Sequence, residues 1–327
     1  MKQNVNGEDS MEENLLEEMV APLLDWYRAN CRRLPWRENR DPYRVWVSEI
    51  MLQQTRVEAV IPYYERFMEQ LPSIDALAAC GDEELFKLWE GLGYYSRARN
   101  LKAAAQMICA KHQGRFPQEY DKIRALPGIG AYTAGAIASI AFEAPAAAVD
   151  GNVLRVVTRL TQDAHDITDA KFRSQITRAL EQVYPAKGRG DFTQSLMELG
   201  AVVCVPGGRP KCEECPVRAL CRAHGSGTQL QYPVKKKKAP RRVEQKTVLV
   251  MCMQDRIALR KRENSGILAG MWELPNVDGT LCEAEIAKWL AQRGMTAHRV
   301  QRAADGRQMK HIFTHVEWHM TCWIVCC

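Results

Sequence analysis

No apolar run in the 327-residue chain approaches the roughly 18 residues that a helix needs to cross a bilayer. A transmembrane role is excluded on that ground. The N-terminus also lacks the basic-then-apolar signature of a secretory signal: Glu8, Asp9, Glu12, Glu13, Glu17 and Glu18 make it acidic. The expectation is an intracellular protein, and compact size without a targeting extension points to a bacterial cytoplasm or nucleoid. A strong excess of one charge is missing too. The net charge of +6 permits a polyanionic partner without requiring one. Strand-like alternation is rare before residue 220, which excludes a largely β architecture for most of the chain.

Instead, amphipathic helices follow one another from about Leu15 to Leu220, with Pro and Gly punctuation between them. The stretch Gln229 to Lys246 then changes character, with Lys235 to Lys238, Arg241, Arg242 and Lys246 facing only Glu244, and with Pro233 and Pro240 discouraging a helix. It reads as a basic inter-domain linker at 229–246, a solvated tether before a dedicated nucleic-acid contact. Beyond it, Thr247 to Met253 and Ile257 to Leu259 read as paired strands, and Glu283 to Arg293 as a helix with Ile286 and Leu290 on its apolar stripe. The expected fold class is therefore mainly α, followed by a small α/β domain at 247–327. That domain breaks off within the strand-like run Glu317 to Val325, as if its last elements were missing.

Three local patterns carry chemistry. Leu126-Pro-Gly-Ile-Gly130, before a small-residue helix at Tyr132 to Ala141, has the form of a helix–hairpin–helix. Gly128 and Gly130 allow a tight turn, and the next helix offers unpaired N–H groups to an anion such as a DNA phosphate. A Gly-x-Gly turn alone is equally a structural loop; its placement shortly before Val149-Asp-Gly-Asn-Val153 favours the functional reading. The second pattern is Cys204-x7-Cys212-x2-Cys215-x5-Cys221. Uneven spacing within one compact loop favours a [4Fe–4S] cluster over zinc, with unliganded structural thiols a third reading. Arg209, Lys211, Arg218 and Arg222 surround these ligands, so the loop would present positive charge to phosphates.

The third pattern is a pair of carboxylates. Glu49 is embedded in the strongly apolar segment Val45 to Thr55, where a raised pKa would suit a general acid. Taken alone, it reads first as a surface residue beside Ser48 and Gln53. Asp150 stands before Gly151 and Asn152, where capping the helix Val153 to Leu160 is the commoner task.

These residues complete a family pattern. Leu34-Pro-Trp-Arg37, Val47 to Thr55, Gly91-Leu-Gly-Tyr-Tyr-Ser96, the hairpin, Val149 to Val153 and the cysteine loop occur in the order that resembles the MutY family of adenine DNA glycosylases, within the helix–hairpin–helix, endonuclease III-like superfamily. The resemblance is close over about residues 15 to 225 and looser beyond. It implies a catalytic region at 10–228, made of a six-helix barrel at about 36–142 and a [4Fe–4S] module from about 10–35 and 143–228. It also implies the partner, double-stranded DNA with adenine opposite 8-oxoguanine or guanine, bound by a monomer.

By the same resemblance Glu49 protonates the flipped adenine at N7, and Asp150 stabilises or traps the oxocarbenium-like sugar. Tyr132 and Asn152 assist by positioning Asp150 and the sugar. Trp36 and Arg37 belong to the adenine pocket, Gln54 and Tyr94 fill the space left in the duplex, and Thr55 closes the same motif. Cys204, Cys212, Cys215 and Cys221 hold the cluster, although the first interval is one residue longer than the family's usual six. An endonuclease III-type lyase would need a lysine where Tyr132 stands, which favours a monofunctional glycosylase. A non-catalytic DNA-binding module is the other alternative, and retention of both carboxylates speaks against it. In the last domain, Gly270-Met-Trp-Glu-Leu-Pro275 resembles a Nudix-related 8-oxoguanine-checking domain without a catalytic Nudix box. Phe313-Thr314-His315 stands where the family has Phe-Ser-His, and Thr314 keeps the hydroxyl that could meet the oxidised base.

Overall fold

The computed structural model describes residues 14–236, 240–263, 265–303, 308–313 and 315–326. The chain divides into two compact units, Met1–Lys236 and Lys237–Cys327. Among the described residues, no helix is long and apolar enough to cross a membrane.

The first unit is helical: α1 (Val20–Asn30), α2 (Pro42–Leu52), α3 (Val57–Gln70), α4 (Ile74–Ala79), α5 (Asp82–Trp89), α6 (Ser96–His112), α7 (Tyr120–Arg124), α8 (Ala131–Phe142), α9 (Gly151–Thr161), α10 (Ala170–Gln182), α11 (Arg189–Val202) and α12 (Arg222–Gly225). It contains two hydrophobic cores. One is built from α2 to α8, around Trp46, Phe67, Trp89 and Ile137. The other draws on α1 and α9 to α11 and reaches the cysteine loop through Val203 and Val217.

Helix α2 shows why a carboxylate can be trapped in a core. Asp41 caps it, accepting from the Arg44 amide at 2.9 Å, and Pro42 starts it with a preset φ. Every residue from Val45 to Met51 is buried, so the helix has no solvent face on which Glu49 could sit. It starts earlier and stops earlier than the apolar run suggests, because Gln54 takes a left-handed φ of 60° just past its end. Helix α8 packs against both α2 and α11. The approach to α11 is close, since a Cβ on its Gly190 would lie 2.9 Å from the Ile140 Cα of α8.

Among the described residues, the second unit is built of strands and one helix. Its strands β1 (Arg242–Met253), β2 (Arg256–Ile257), β6 (Arg299–Arg302) and β8 (Val316–Cys326) run in the order β2-β1-β8-β6, with β5 (Asn276–Asp278) on β1 and β7 (Met309–Ile312) on β8. β1 and β8 pair in parallel from Arg242↔Val316 to Cys252↔Cys326. Short strands β3 (Arg260–Lys261) and β4 (Trp272–Glu273) form a separate ribbon. Helix α13 (Glu283–Ala291) buries Ile286 and Leu290 against Leu249, Met251 and Val325, the stripe read from the sequence.

The basic segment is not a uniform tether. Residues 229–236 are fastened to the first unit, where the Arg159 Nε donates to the Gln229 and Tyr232 carbonyls at 2.9 and 3.1 Å and the Ile167 amide donates to the Val234 carbonyl at 3.1 Å. Residues 242–246 already belong to β1, because the partner strand β8 offers them a full parallel register.

Candidate active site

Helices α2, α8, α9 and α11 converge on a cavity of about 250 Å³ whose walls include Trp36, Arg37, Glu49, Thr55, Tyr132, Asp150, Asn152 and Glu198. Seven of these eight were singled out from the sequence, and the eight come from five separate segments.

Glu49 is 7% exposed. Burial pushes its carboxyl up to about 7; the charge of Asp150 adds to the rise, while a hydrogen bond from Tyr132 and the charge of Arg37 oppose it. The Tyr132 hydroxyl donates to Glu49 Oε2 at 2.9 Å. Burial and the two neighbouring carboxylates raise the Tyr132 phenol well above its ordinary value, so it remains a donor. The sequence-based assignment gave Tyr132 to positioning Asp150 and the sugar; here its hydroxyl bonds the other acid, because α8 runs beside α2.

Asp150 is the N-cap of α9. Its Oδ1 accepts from the Asn152 and Val153 amides at 2.9 and 2.8 Å, and its Oδ2 accepts from Asn152 Nδ2 at 2.7 Å. The cap and the pocket wall are the same side chain. Burial raises its pKa, while the three donors favour the ionised form and oppose the rise. Glu49 accepts from one donor and Asp150 from three, so the surroundings of Asp150 favour its carboxylate more than those of Glu49 do. Asn152 is held in turn by Arg155, whose Nη2 reaches Asn152 Oδ1 at 2.8 Å.

Arg37 reaches the cavity through a partner that the motif analysis passed over. Glu198, fully buried on α11, accepts from Arg32 Nε at 2.7 Å, Arg32 Nη2 at 2.9 Å and Arg37 Nη2 at 2.9 Å. Burial alone would raise this carboxyl, but the two guanidiniums outweigh it and hold it at about 2. Its signal in the sequence is the one that marks Glu49, an acid inside an apolar helix, here between Leu196 and Leu199. Trp36 is buried edge-on against Tyr64 at 5.3 Å, which fixes the indole as a wall.

Gln54 and Tyr94 lie outside the cavity wall. Both are exposed, Tyr94 by 52%, and both hold left-handed backbones, with φ of 60° and 48°. In the hairpin, Gly128 is required: its φ is +76°, and a Cβ would stand 2.7 Å from the Asn100 Cβ. Gly130 is not required by the fold, having φ of −89° and open space where a Cβ would go. Leu126, read from the sequence as a DNA contact, also anchors the core. Its side chain is 3% exposed within the first core, leaving only its backbone toward a ligand.

The four cysteines singled out by spacing line a second cavity together with Arg159, Arg218, His224 and Gln229. Arg159 Nη1 donates to Cys204 Sγ at 3.2 Å, and Arg155 Nε to the Cys204 carbonyl at 2.7 Å. Burial lifts the Cys215 thiol to about 12. Among the described residues, no three His, Cys, Asp or Glu side chains gather as a single-ion site. The basic residues of the loop are partly spent within it, Arg218 on Glu213 and Lys211 on Glu214.

In the second unit, Phe313 sits in the β7–β8 turn between His311 and Trp318, with ring centroids 4.5 and 4.8 Å away. His315 is exposed, its carbonyl accepting from the Arg242 amide. Thr314 lies outside the described residues.

Residues 47–182 match the HhH-GPD superfamily of base excision DNA repair proteins, and residues 247–327 match the NUDIX domain. Solved structures similar to the chain include a thermostable thymine-DNA glycosylase (28% identity, TM-score 0.59, covering 65% of this chain and 98% of that one) and a non-covalent endonuclease III–DNA complex (25%, 0.55, 65% and 98%). The adenine DNA glycosylase of Rattus norvegicus is 39% identical over 307 residues, covering 78% of this chain and 59% of the relative. That of Arabidopsis thaliana is 39% identical over 310 residues, and the chain spans 49% of its length. For the enzyme of Buchnera aphidicola subsp. Baizongia pistaciae, 34% identity extends over 93% of this chain and 85% of the relative. The chain belongs to the adenine DNA glycosylase family of the helix–hairpin–helix superfamily.

Proposed function

We propose that the protein binds double-stranded DNA and excises adenine mispaired with 8-oxoguanine or guanine, as a monofunctional glycosylase. The observation that carries this reading is the pair of unlike carboxylates in one cavity: Glu49, buried with its carboxyl pushed up to about 7, and Asp150, whose oxygens accept from three donors that favour the carboxylate. A flipped adenine receives the Glu49 proton, at N7, and departs as a neutral base. The positive charge that develops on the sugar faces Asp150, which stabilises or traps it before water attacks C1′. Glu198, held by Arg32 and Arg37, offers an acceptor toward the base, and Trp36 its face. With Tyr132 where a lyase lysine would stand, no lysine among the described residues lines the cavity to form a Schiff base.

The cysteine cavity fits a [4Fe–4S] cluster on this chain's own charges. Arg155 and Arg159 are 6% and 4% exposed, and neither has an ion pair among the described residues. Two buried guanidiniums demand a counter-charge, and a tetrathiolate cluster is anionic overall. Four thiols around one cavity, not gathered as a single-ion site, suit a polynuclear centre better than zinc. Cys204, Cys212, Cys215 and Cys221 would hold the cluster, which would tie down the loop; no step of excision passes through it. The second unit is assigned to 8-oxoguanine, with Phe313, Thr314 and His315 as its contacts.

Purified protein incubated with an A:8-oxoguanine duplex is expected to release adenine, with Glu49→Gln and Asp150→Asn at least a hundredfold slower but still binding. Release of an oxidised pyrimidine from its own duplex instead, or near-normal rates in either variant, would overturn the assignment.

A further inference from the structure

Arg97 enters none of the chemistry above, yet it is 9% exposed and makes five hydrogen bonds, all to backbone carbonyls. Its two terminal nitrogens divide the work. Nη1 donates to Ile50, Met51 and Gln53 at 2.8, 3.1 and 2.8 Å, the end of α2. Nη2 donates to Leu92 and Gly93 at 2.8 and 3.3 Å, in the loop before α6. Each of these two segments ends in an exposed residue with left-handed backbone, Gln54 in one and Tyr94 in the other.

The electrostatics show that this is not a default arrangement. A cation in the first turn of its own helix opposes the helix dipole, and Arg97 stands in the first turn of α6. No carboxylate forms an ion pair with it among the described residues, and burial lowers its pKa. Compensation comes from the last-turn carbonyls of α2, the negative end of another helix, and from the faces of Trp89 and Tyr94 at 5.4 and 5.7 Å. Left-handed non-glycine residues persist only where their surroundings over-determine them. Here a single planar group fixes the carbonyls on the N-terminal side of both.

We propose that Arg97 is a positioning residue that locks the Gln54 and Tyr94 segments into one rigid double wedge, so that it governs extrusion of the base and not cleavage of the glycosidic bond. The inference rests on the proposed function, in which those two side chains enter the duplex. Lysine keeps the charge but offers a compact ammonium that can serve one segment and not both.

The test uses the full-length protein and a duplex carrying 2-aminopurine opposite 8-oxoguanine, whose fluorescence rises on unstacking. Arg97→Lys is expected to cut the enhancement at saturating protein by at least fivefold. It should slow single-turnover adenine release by at least tenfold while leaving the pH at which that release falls away unchanged. In a double-mutant cycle, Arg97→Lys and Tyr94→Ala should be non-additive, the double variant being no worse than the poorer single one. Unaltered 2-aminopurine enhancement in Arg97→Lys, or additive losses, would overturn the proposal. Should Arg97→Lys lose its helical circular dichroism, Gly93→Ala takes its place. It strains the loop at φ +69°, where no atom would meet the new Cβ, and carries the same expectation. Failure of the wild type to release adenine overturns the proposed function; release by the wild type with undiminished unstacking in the variant overturns only the clamp.

Discussion

The hydroxyl of Tyr132 on α8 donates to Oε2 of Glu49 on α2 at 2.9 Å, joining the helix that follows the hairpin to the helix that carries the acid. This bond lowers the Glu49 pKa against the larger effect of burial, which nevertheless leaves it at about 7. The acid is thus poised where small changes in its surroundings move it across neutrality.

Single-turnover excision should fall about tenfold per pH unit above roughly pH 7, as Glu49 loses its proton. Tyr132→Phe removes a bond that favours the carboxylate, so the falling limb should move to higher pH. The same ionisation acts on stability. A folded pKa above the unfolded value disfavours the folded state as pH rises through the folded pKa, so the advantage of Glu49→Gln over wild type should grow by about 2 kcal/mol between pH 5.5 and 8.5. Thermal melts at the two pH values check the sign.

Removing Glu198 leaves Arg32 and Arg37 facing each other without a counter-charge. Glu198→Ala is expected to cost about 3–5 kcal/mol in stability. Glu198→Gln keeps the volume and should fold better, yet it should weaken adenine excision more than DNA binding. Parallel urea titrations and single-turnover rates separate the two effects.

The two hairpin glycines should respond oppositely. Gly128→Ala, at φ +76° with Asn100 in the way, should lose about 1–3 kcal/mol of stability. Gly130→Ala meets neither strain nor neighbour and should melt like the wild type. Its new methyl group would stand off a phosphate, so duplex affinity at fixed salt should fall severalfold. Equal melting temperatures with equal affinities would show that Gly130 does not face DNA.

Iron and sulfide analysis, with the visible absorption of the purified protein, tests the cysteine cavity. Cys215→Ser should lose both and melt lower, because Arg155 and Arg159 would then be buried without an anion. Arg159→Gln should retain iron but shift the reduction potential, since it removes the donor at Cys204 Sγ.

Much of the site was legible because its chemistry is local. Asp150, Gly151 and Asn152 form a cap whose three bonds span four consecutive residues, and the cysteine loop is contained within eighteen. Glu49 was legible as an acid in an apolar run, though its burial was not, since a run of that kind can still expose one face. Three features were hidden. Glu198 meets Arg32 across 166 positions, Arg97 meets Gln53 across 44, and Tyr132 reaches Glu49 across 83. No periodicity reports such pairings, because each depends on how two separate helices lie against one another.

What the sequence determined by itself was therefore the inventory: a helical region, a phosphate-type turn, a four-thiol loop, two candidate acids, and a strand-rich end. Its means were short-range, namely periodicity, φ preference and spacing. Tertiary structure alone decided how the two acids differ, because the rise of Glu49 to about 7 comes from burial among separate helices, while Asp150 has three donors to the single one at Glu49. It also decided Tyr132's partner, since the packing of α8 beside α2 aims the hydroxyl at Glu49 and not at Asp150.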